Sequence, residues 1–315
     1  MALDLRELNL STANACNADC IYCPKGLAPV PEKKFMPLSL VEKIMSEITT
    51  PEFKAQHNIV HSVLSENGEC FLNSDILDIM RAVRAAGLSI SVFTNFACLN
   101  SKLAWAIIRE NLVDAIHFNL DGATQETYYA AKRLSLHVVE GNLRGFIATR
   151  NDLGSRRIRL FGHVIPAQAY TASVMVNFGV MPVKHDRLIT PVTDGEEVIK
   201  KWLPELDPVL DSIGLDPVMF WAERYNNTPK KGVFACPNLE RVKHVAYINP
   251  AGDWYGCCFD AGNDLILGNV YDNSLAEIAD GPVRRDLVEK LEARHFEAVG
   301  WPCIRVDACQ GMQWA

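Results

Sequence analysis

Strand-like and helix-like segments alternate about six times over roughly the first 210 residues, and this rhythm restricts the fold more than any other property of the chain. Apolar and β-branched runs predict strands over 6–10, 59–64, 89–94, 115–120, 158–164 and 187–192. Between them, helical spacing of apolar residues predicts helices over 39–48, 74–86, 103–110, 136–149 and 172–178, with Ser39 as an N-cap candidate and Gly87 ending the second. A helical region over 196–213, interrupted at Pro204 and Pro208, closes the series. Such alternation implies a parallel sheet with crossover helices. Reactive groups in these sheets collect at the C-terminal ends of the strands. The first cysteine group, Glu69, Thr94-Asn95 and Asp121 all fall at or just after predicted strand ends, so they share one rim.

The pattern changes after residue 216. Lys230-Lys231-Gly232 is a polar break, and 245–248 and 253–257 read as a hairpin joined by Asn249-Pro250-Ala251-Gly252. Helices follow over 274–279 and 283–293. We expect a first domain over 1–215 and a smaller second one over 216–315. The chain is 49% apolar and has no apolar run approaching the ~20 residues of a membrane span. Residues 1–10 lack a signal-peptide core, so a cytoplasmic protein is expected. A formal charge of −7 argues against general nucleic-acid binding but leaves room for a small phosphorylated or nucleotide-like ligand.

Ten cysteines are many for an intracellular chain, and eight fall in two groups. Metal binding explains them better than disulfides. Cys16, Cys20 and Cys23 form C-x3-C-x2-C, a spacing at which three thiolates can take three corners of a cubane cluster from one loop. The fourth iron would then stay open to a small chelating molecule. A structural zinc completed from elsewhere is the alternative, although zinc loops more often use C-x2-C or C-x4-C pairs. Cys236, Cys257, Cys258, Cys303 and Cys309 form the second group, sufficient for a further [4Fe–4S] cluster or again for zinc. Cys70 and Cys98 stand alone and read as packing residues.

The segment Cys16-Asn17-Ala18-Asp19-Cys20-Ile21-Tyr22-Cys23 resembles the signature of the radical S-adenosylmethionine (SAM) superfamily. Glu66-Asn67-Gly68-Glu69 resembles that family's Gly-Gly-Glu motif with Asn67 in place of the first glycine, a substitution compatible with positive φ. Thr94-Asn95 and Phe118-Asn119-Leu120-Asp121-Gly122 resemble its later polar segments. Residues 252–260, followed by Leu267-Gly268-Asn269, resemble a SPASM or Twitch extension, and five available cysteines suit the one-cluster Twitch type. The resemblance implies an α/β fold: a partial (β/α)6 TIM-like barrel with a smaller C-terminal α+β auxiliary-cluster domain.

It also implies two [4Fe–4S] clusters and SAM as cofactors, with a flavodoxin or ferredoxin as reductant. Cys16, Cys20 and Cys23 would hold the first cluster. Cys236, Cys257, Cys303 and Cys309 would hold the second, with Cys258 the alternative to Cys309. Tyr22 would pack near the adenine, Gly68 and Glu69 would receive the SAM amino group, and Thr94, Asn95, Asn119 and Asp121 would serve the rest of the cofactor. Glu69 also suits a helix N-terminus, and Asn119 and Asp121 suit turn caps.

Strand alternation would turn Cys258 away from Cys257, leaving it either a filler or a hydrogen-atom donor to a substrate radical. The implied activity is C–H abstraction from a sugar, aminocyclitol or nucleoside-type natural-product intermediate, ending in epimerisation or dehydrogenation. Such chemistry belongs to antibiotic biosynthesis. Ribosomal-peptide maturation, sugar-acid decarboxylation and non-enzymatic electron transfer are the alternatives. His163, Lys184, His185, Arg187, Trp221, Glu223, Arg224 and Tyr225 are substrate-contact candidates from their positions near strand ends and the domain junction.

Overall fold

A computed structural model describes residues 3–20, 23, 32–65, 67–165, 194–216, 235–260, 262–300 and 303. One nine-stranded sheet runs through them in the order β6-β5-β4-β3-β2-β1-β7-β8-β9. Its first six strands are β1 (Glu7–Leu10), β2 (His61–Val63), β3 (Ser89–Thr94), β4 (Ala115–Asn119), β5 (Arg159–Val164) and β6 (Ser212–Leu215). Each is parallel to the next. Right-handed crossovers between sequential parallel strands put all the connecting helices on one face. The other face is thereby left free to line a site.

The helices on the covered face are α1 (Leu38–Ile48), α2 (Pro51–Gln56), α3 (Ile76–Ala85), α4 (Ser101–Glu110), α5 (Gln125–Lys132), α6 (Leu136–Asp152) and α7 (Gly195–Trp202). In α3, Ile76, Ile79, Met80 and Val83 are buried at i, i+3, i+4 and i+7. Gly87 ends that segment at φ +88°, a conformation a side chain would resist. Strand alternation sorts the residues of the sheet. Phe118 meets Phe96 edge-on at 5.6 Å, and Phe96 meets Phe146 of α6 at 5.9 Å, all on the helix side. Phe93, His117 and Phe161 lie in register on the opposite face.

Two expectations change. Helix α1 starts at Leu38 with Pro37 in extended conformation at the N-cap, so Ser39 is not the cap. The sixth strand is Ser212–Leu215, where a helical region had been expected to run to 213. Pro204 stops the helix after Trp202, and Asp207 folds the chain back by accepting the Val209 and Leu210 N–H groups, which releases 212–215 to pair with β5. The expected helix over 172–178 and strand over 187–192 lie outside the described residues. Helix α5, which the pattern did not signal, begins at a Thr124–Thr127 capping box.

The C-terminal strands β7 (Val245–Ile248), β8 (Asp253–Tyr255) and β9 (Ile266–Asn269) continue the same sheet. β7 pairs parallel with β1, and the expected β7–β8 hairpin forms, with Gly252 at φ +85° in its turn. Helices α8 (Leu239–His244), α9 (Leu275–Ala279), α10 (Pro282–Glu292) and α11 (Phe296–Val299) pack around it. Among the described residues, no helix is long and apolar enough to cross a membrane.

A buried pair ties α6 to the approach to β6. Arg150 donates to both Asp211 oxygens at 2.7 and 2.5 Å, and Asp211 also accepts the Leu160 and Asp207 N–H groups. Both side chains are at most 1% exposed. Breaking one partner leaves a buried charge, so Asp211→Ala should cost about 3–5 kcal/mol, measurable by urea denaturation, with β6 the first segment to lose amide protection.

Candidate functional site

The first cysteine group sits in a loop clamped at both ends over the C-terminal edge of the sheet. Thr12 donates its hydroxyl to the Leu64 carbonyl at 2.7 Å, and the Thr12 carbonyl accepts the Met36 N–H at 2.9 Å. The Asn73 amide bridges the Thr12 and Met36 carbonyls, and Ala13 pairs with Phe35. Within the loop the Cys23 N–H donates to the Cys20 carbonyl, and the Asp19 N–H to the Lys132 carbonyl. Cys16 receives the Ala18 N–H on its sulfur at 3.4 Å. Asn95, just past β3, donates to Asn17 Oδ1 at 2.8 Å and reaches the Cys16 sulfur at 3.8 Å. Tyr22 lies outside the described residues.

Gly68 lets the loop approach. A Cβ there would stand 2.5 Å from both the Ala13 and Ala15 carbonyl oxygens. The next residue, Glu69, donates its N–H to the Ala15 carbonyl. Its side chain turns inward, 2% exposed. It accepts from Thr94 Oγ1 at 2.8 Å, the Asn95 N–H at 2.9 Å and the Phe71 N–H at 3.3 Å. Burial pushes the Glu69 carboxyl upward, against the pull of these donors. Glu69 thus caps the short 3-10 turn Cys70–Leu72 and pins β2 to β3, with Thr94 committed to the same bond. The Asn67 amide donates to the Tyr255 hydroxyl at 3.0 Å, which joins the rim to β8. Cys70 is buried, as a packing residue should be.

The segment after β4 divides. Asn119 shares the free face with His117 by strand alternation. Asp121 instead pairs with Lys132 at 2.7 Å and accepts the Ile165 N–H at 3.0 Å, both side chains being at most 3% exposed. It is a buried anchor, closed off from the rim. Burial opposes the Lys132 charge, but Asp121 and neighbouring Cys20 hold its pKa above the usual lysine range.

In the C-terminal region Cys236, Cys257 and Cys303 line an apolar, solvent-open pocket with Leu287, Leu291 and Phe296. Cys309 lies outside the described residues. Strand β8 ends at Tyr255, so alternation does not govern Cys257 and Cys258 as expected. Asn238 reaches both sulfurs, at 3.7 and 3.8 Å. Yet Cys258 packs against Val245, Tyr247 and Tyr255 rather than the main core. A hydrogen bond with Cys257 and burial push its thiol well upward.

Among the described residues, no three His, Cys, Asp or Glu side chains already stand at metal-holding spacing. The donor chemistry nevertheless fits iron–sulfur clusters. Each group is all-thiol and receives N–H donors on sulfur, as cluster ligands do. Cys16 is open to solvent by area, yet the protein packed around its sulfur and the nearby Cys20, Glu69 and Cys23 push its thiol up to about 12.

Of the proposed substrate contacts, only His163 falls among the described residues. It stands in a line the sequence reading missed. His117 Nδ1 lies 3.0 Å from His163 Nε2, and His163 Nδ1 lies 2.6 Å from Asp216 Oδ2. The signal for His117 was present in the alternation of 115–119, where it faces away from Ile116 and Phe118.

Residues 236–305 match the family model described as SPASM, an iron-sulfur cluster-binding domain. No curated protein sequence matches the chain. Solved structures share its fold. BtrN in complex with AdoMet and 2-DOIA is 13% identical at TM-score 0.52, covering 93% of this chain and 89% of that one. Streptococcus suis SuiB bound to S-adenosylmethionine is 13% identical at TM-score 0.57, covering 96% and 72%. The anSMEcpe enzyme with bound AdoMet and Cp18Cys peptide is 13% identical at TM-score 0.59, covering 96% and 87%.

Gly68→Ala should push the cysteine loop off the rim. We expect the variant to retain less iron and sulfide after anaerobic reconstitution, and to lose about 1–3 kcal/mol of stability as overpacked sites do. Elemental analysis and thermal unfolding check both.

Proposed function

We propose that this chain, which carries a SPASM iron–sulfur region on the radical SAM fold, is a radical SAM enzyme acting on a sugar, aminocyclitol or nucleoside-type substrate. The observation that carries the reading is the cysteine loop held by Asn95 and Gly68 above the C-terminal ends of the parallel strands. When bound, a [4Fe–4S] cluster and SAM would supply the 5′-deoxyadenosyl radical that takes hydrogen from an unreactive C–H bond. Cys16, Cys20 and Cys23 would hold three irons and leave the fourth for SAM.

The chain's own residues would do the positioning. Gly68 and Asn95 set the loop's height, while Glu69, Thr94 and the Asp121–Lys132 pair stiffen the rim from behind. Tyr22 and Asn119 remain the candidates for direct cofactor contact. Cys236, Cys257, Cys303 and Cys309 would hold a second cluster in the C-terminal region. The thiol of Cys258, set apart on the Tyr247–Tyr255 side, is the candidate donor of a hydrogen atom in an epimerisation. In a dehydrogenation the electron would leave through the iron–sulfur centre instead.

A second reading, peptide modification, is favoured by the structures of SuiB bound to precursor peptide SuiA and of anSMEcpe with Cp18Cys peptide. Anaerobically reconstituted, reduced protein should form 5′-deoxyadenosine from SAM, and Cys20→Ala should abolish this. In deuterated water with an aminoglycoside and nucleoside panel, gain of one deuterium marks epimerisation, and loss of a hydrogen pair marks dehydrogenation. Cys258→Ala should stop deuterium incorporation; continued incorporation would remove it as the donor. Turnover of peptides alone would replace the carbohydrate reading.

A further inference from the structure

The free face of the sheet carries a line of groups that the radical chemistry described above does not use. His117 (β4), His163 (β5) and Asp216, just past β6, connect three adjacent strands through contacts of 3.0 and 2.6 Å. The His117 ring is fixed between two others: Phe93 stacks on it at 4.5 Å and Phe161 at 4.9 Å. Phe93 is 42% exposed, so the face beside His117 is open. Two residues beyond Phe93 stands Asn95, which touches the cysteine loop. The line therefore begins beside the column of the sheet that leads to the proposed radical source.

We propose that His117, His163 and Asp216 form a proton relay that takes the proton of a hydroxyl or ammonium group on a substrate bound against this face. The claim rests on the radical SAM reading for its substrate, but its geometry stands alone. Asp216 accepts from His163 Nδ1–H, which leaves His163 Nε2 as an acceptor for His117 Nδ1–H. Among the described residues, His117 Nε2 has no partner, and it is the nitrogen that meets the substrate.

The substrate O–H bond breaks as the His117 Nε2–H bond forms. The His117 Nδ1–H bond breaks as the His163 Nε2–H bond forms. The positive charge comes to rest on His163, beside the Asp216 carboxylate. In the oxidative outcome, a hydroxylated carbon radical would yield this proton to the relay, and an oxidised iron–sulfur cluster held by the cysteines would supply the one-electron acceptor that leaves a carbonyl. His117 is suited to pass charge onward rather than hold it. Burial, together with His163, His61 and Arg159 on the same face, lowers its pKa to about 4.

The test uses two independent measurements. First, 15N-histidine NMR of the full-length apoprotein should show His163 protonated on Nδ1, with the His117–His163 pair titrating as one unit. Asp216→Asn should move that shared transition to lower pH by about one unit, because the anion that favours the imidazolium is gone. Two rings titrating independently near the ordinary histidine value would overturn the relay, whatever the enzyme's chemistry. Second, in the reconstituted enzyme, His117→Asn and Asp216→Asn should lower product formation by about 10²-fold and raise the ratio of 5′-deoxyadenosine to product. The acid limb of the Asp216→Asn profile should move with the NMR transition. Unchanged product formation and an unchanged profile in both variants would overturn the relay. Absence of 5′-deoxyadenosine from the wild type would instead overturn the radical reading, with the relay then decided by NMR.

Discussion

A buried carboxylate holds the working edge of this protein in place. Glu69 reaches from the end of β2 to the end of β3, taking the Thr94 hydroxyl and the Asn95 N–H, while its own N–H grips the cysteine loop at Ala15. Three segments far apart in sequence meet at one residue. A buried acceptor of this kind is expensive to leave unsatisfied, and here each donor comes from a segment whose position matters for the site. Asn95 carries the connection outward to Asn17 and Cys16. The rim's rigidity and the loop's position thus share a cause.

Around that point the two ends of the chain are built into each other. β7 lies directly against β1, and Tyr255 takes the Asn67 amide at the rim. Buried Arg284 donates to the carbonyls of Leu3, Ala279 and Lys243, tying the first strand's approach to two C-terminal helices. The cavity lined by Cys236, Cys257 and Cys303 is thereby held on the same sheet as the first cysteine loop. A connection of this sort would hold the two proposed iron–sulfur clusters on one framework.

Much of this was legible because strong local patterns coincide with the fold. The β3 strand was read with its observed ends, and the 245–248 and 253–257 hairpin formed around its Asn-Pro-Ala-Gly turn. The cysteine spacing named the two groups. What escaped depended on distant partners. Glu69 and Asp121 looked like rim groups from their strand-end positions; Thr94 and Lys132, respectively, draw them inward, and neither partner is adjacent in sequence. The sixth strand was hidden by the helical pattern before it, since Pro204 and the Asp207 turn act only locally while β5 supplies the pairing. Asp216 joined His163 only once that strand was in place.

The seating of β1 between β2 and β7 bears on how the chain is made. A ribosome delivers β1 long before the strand that covers its second edge, which comes after residue 244. Until then one side of a buried, apolar strand offers unsatisfied backbone groups to any extended segment nearby. Closing so long a loop is slow. Nascent chains therefore pass through an interval of exposure whose length is set by translation speed, and a truncation before 245 leaves that edge permanently open to association.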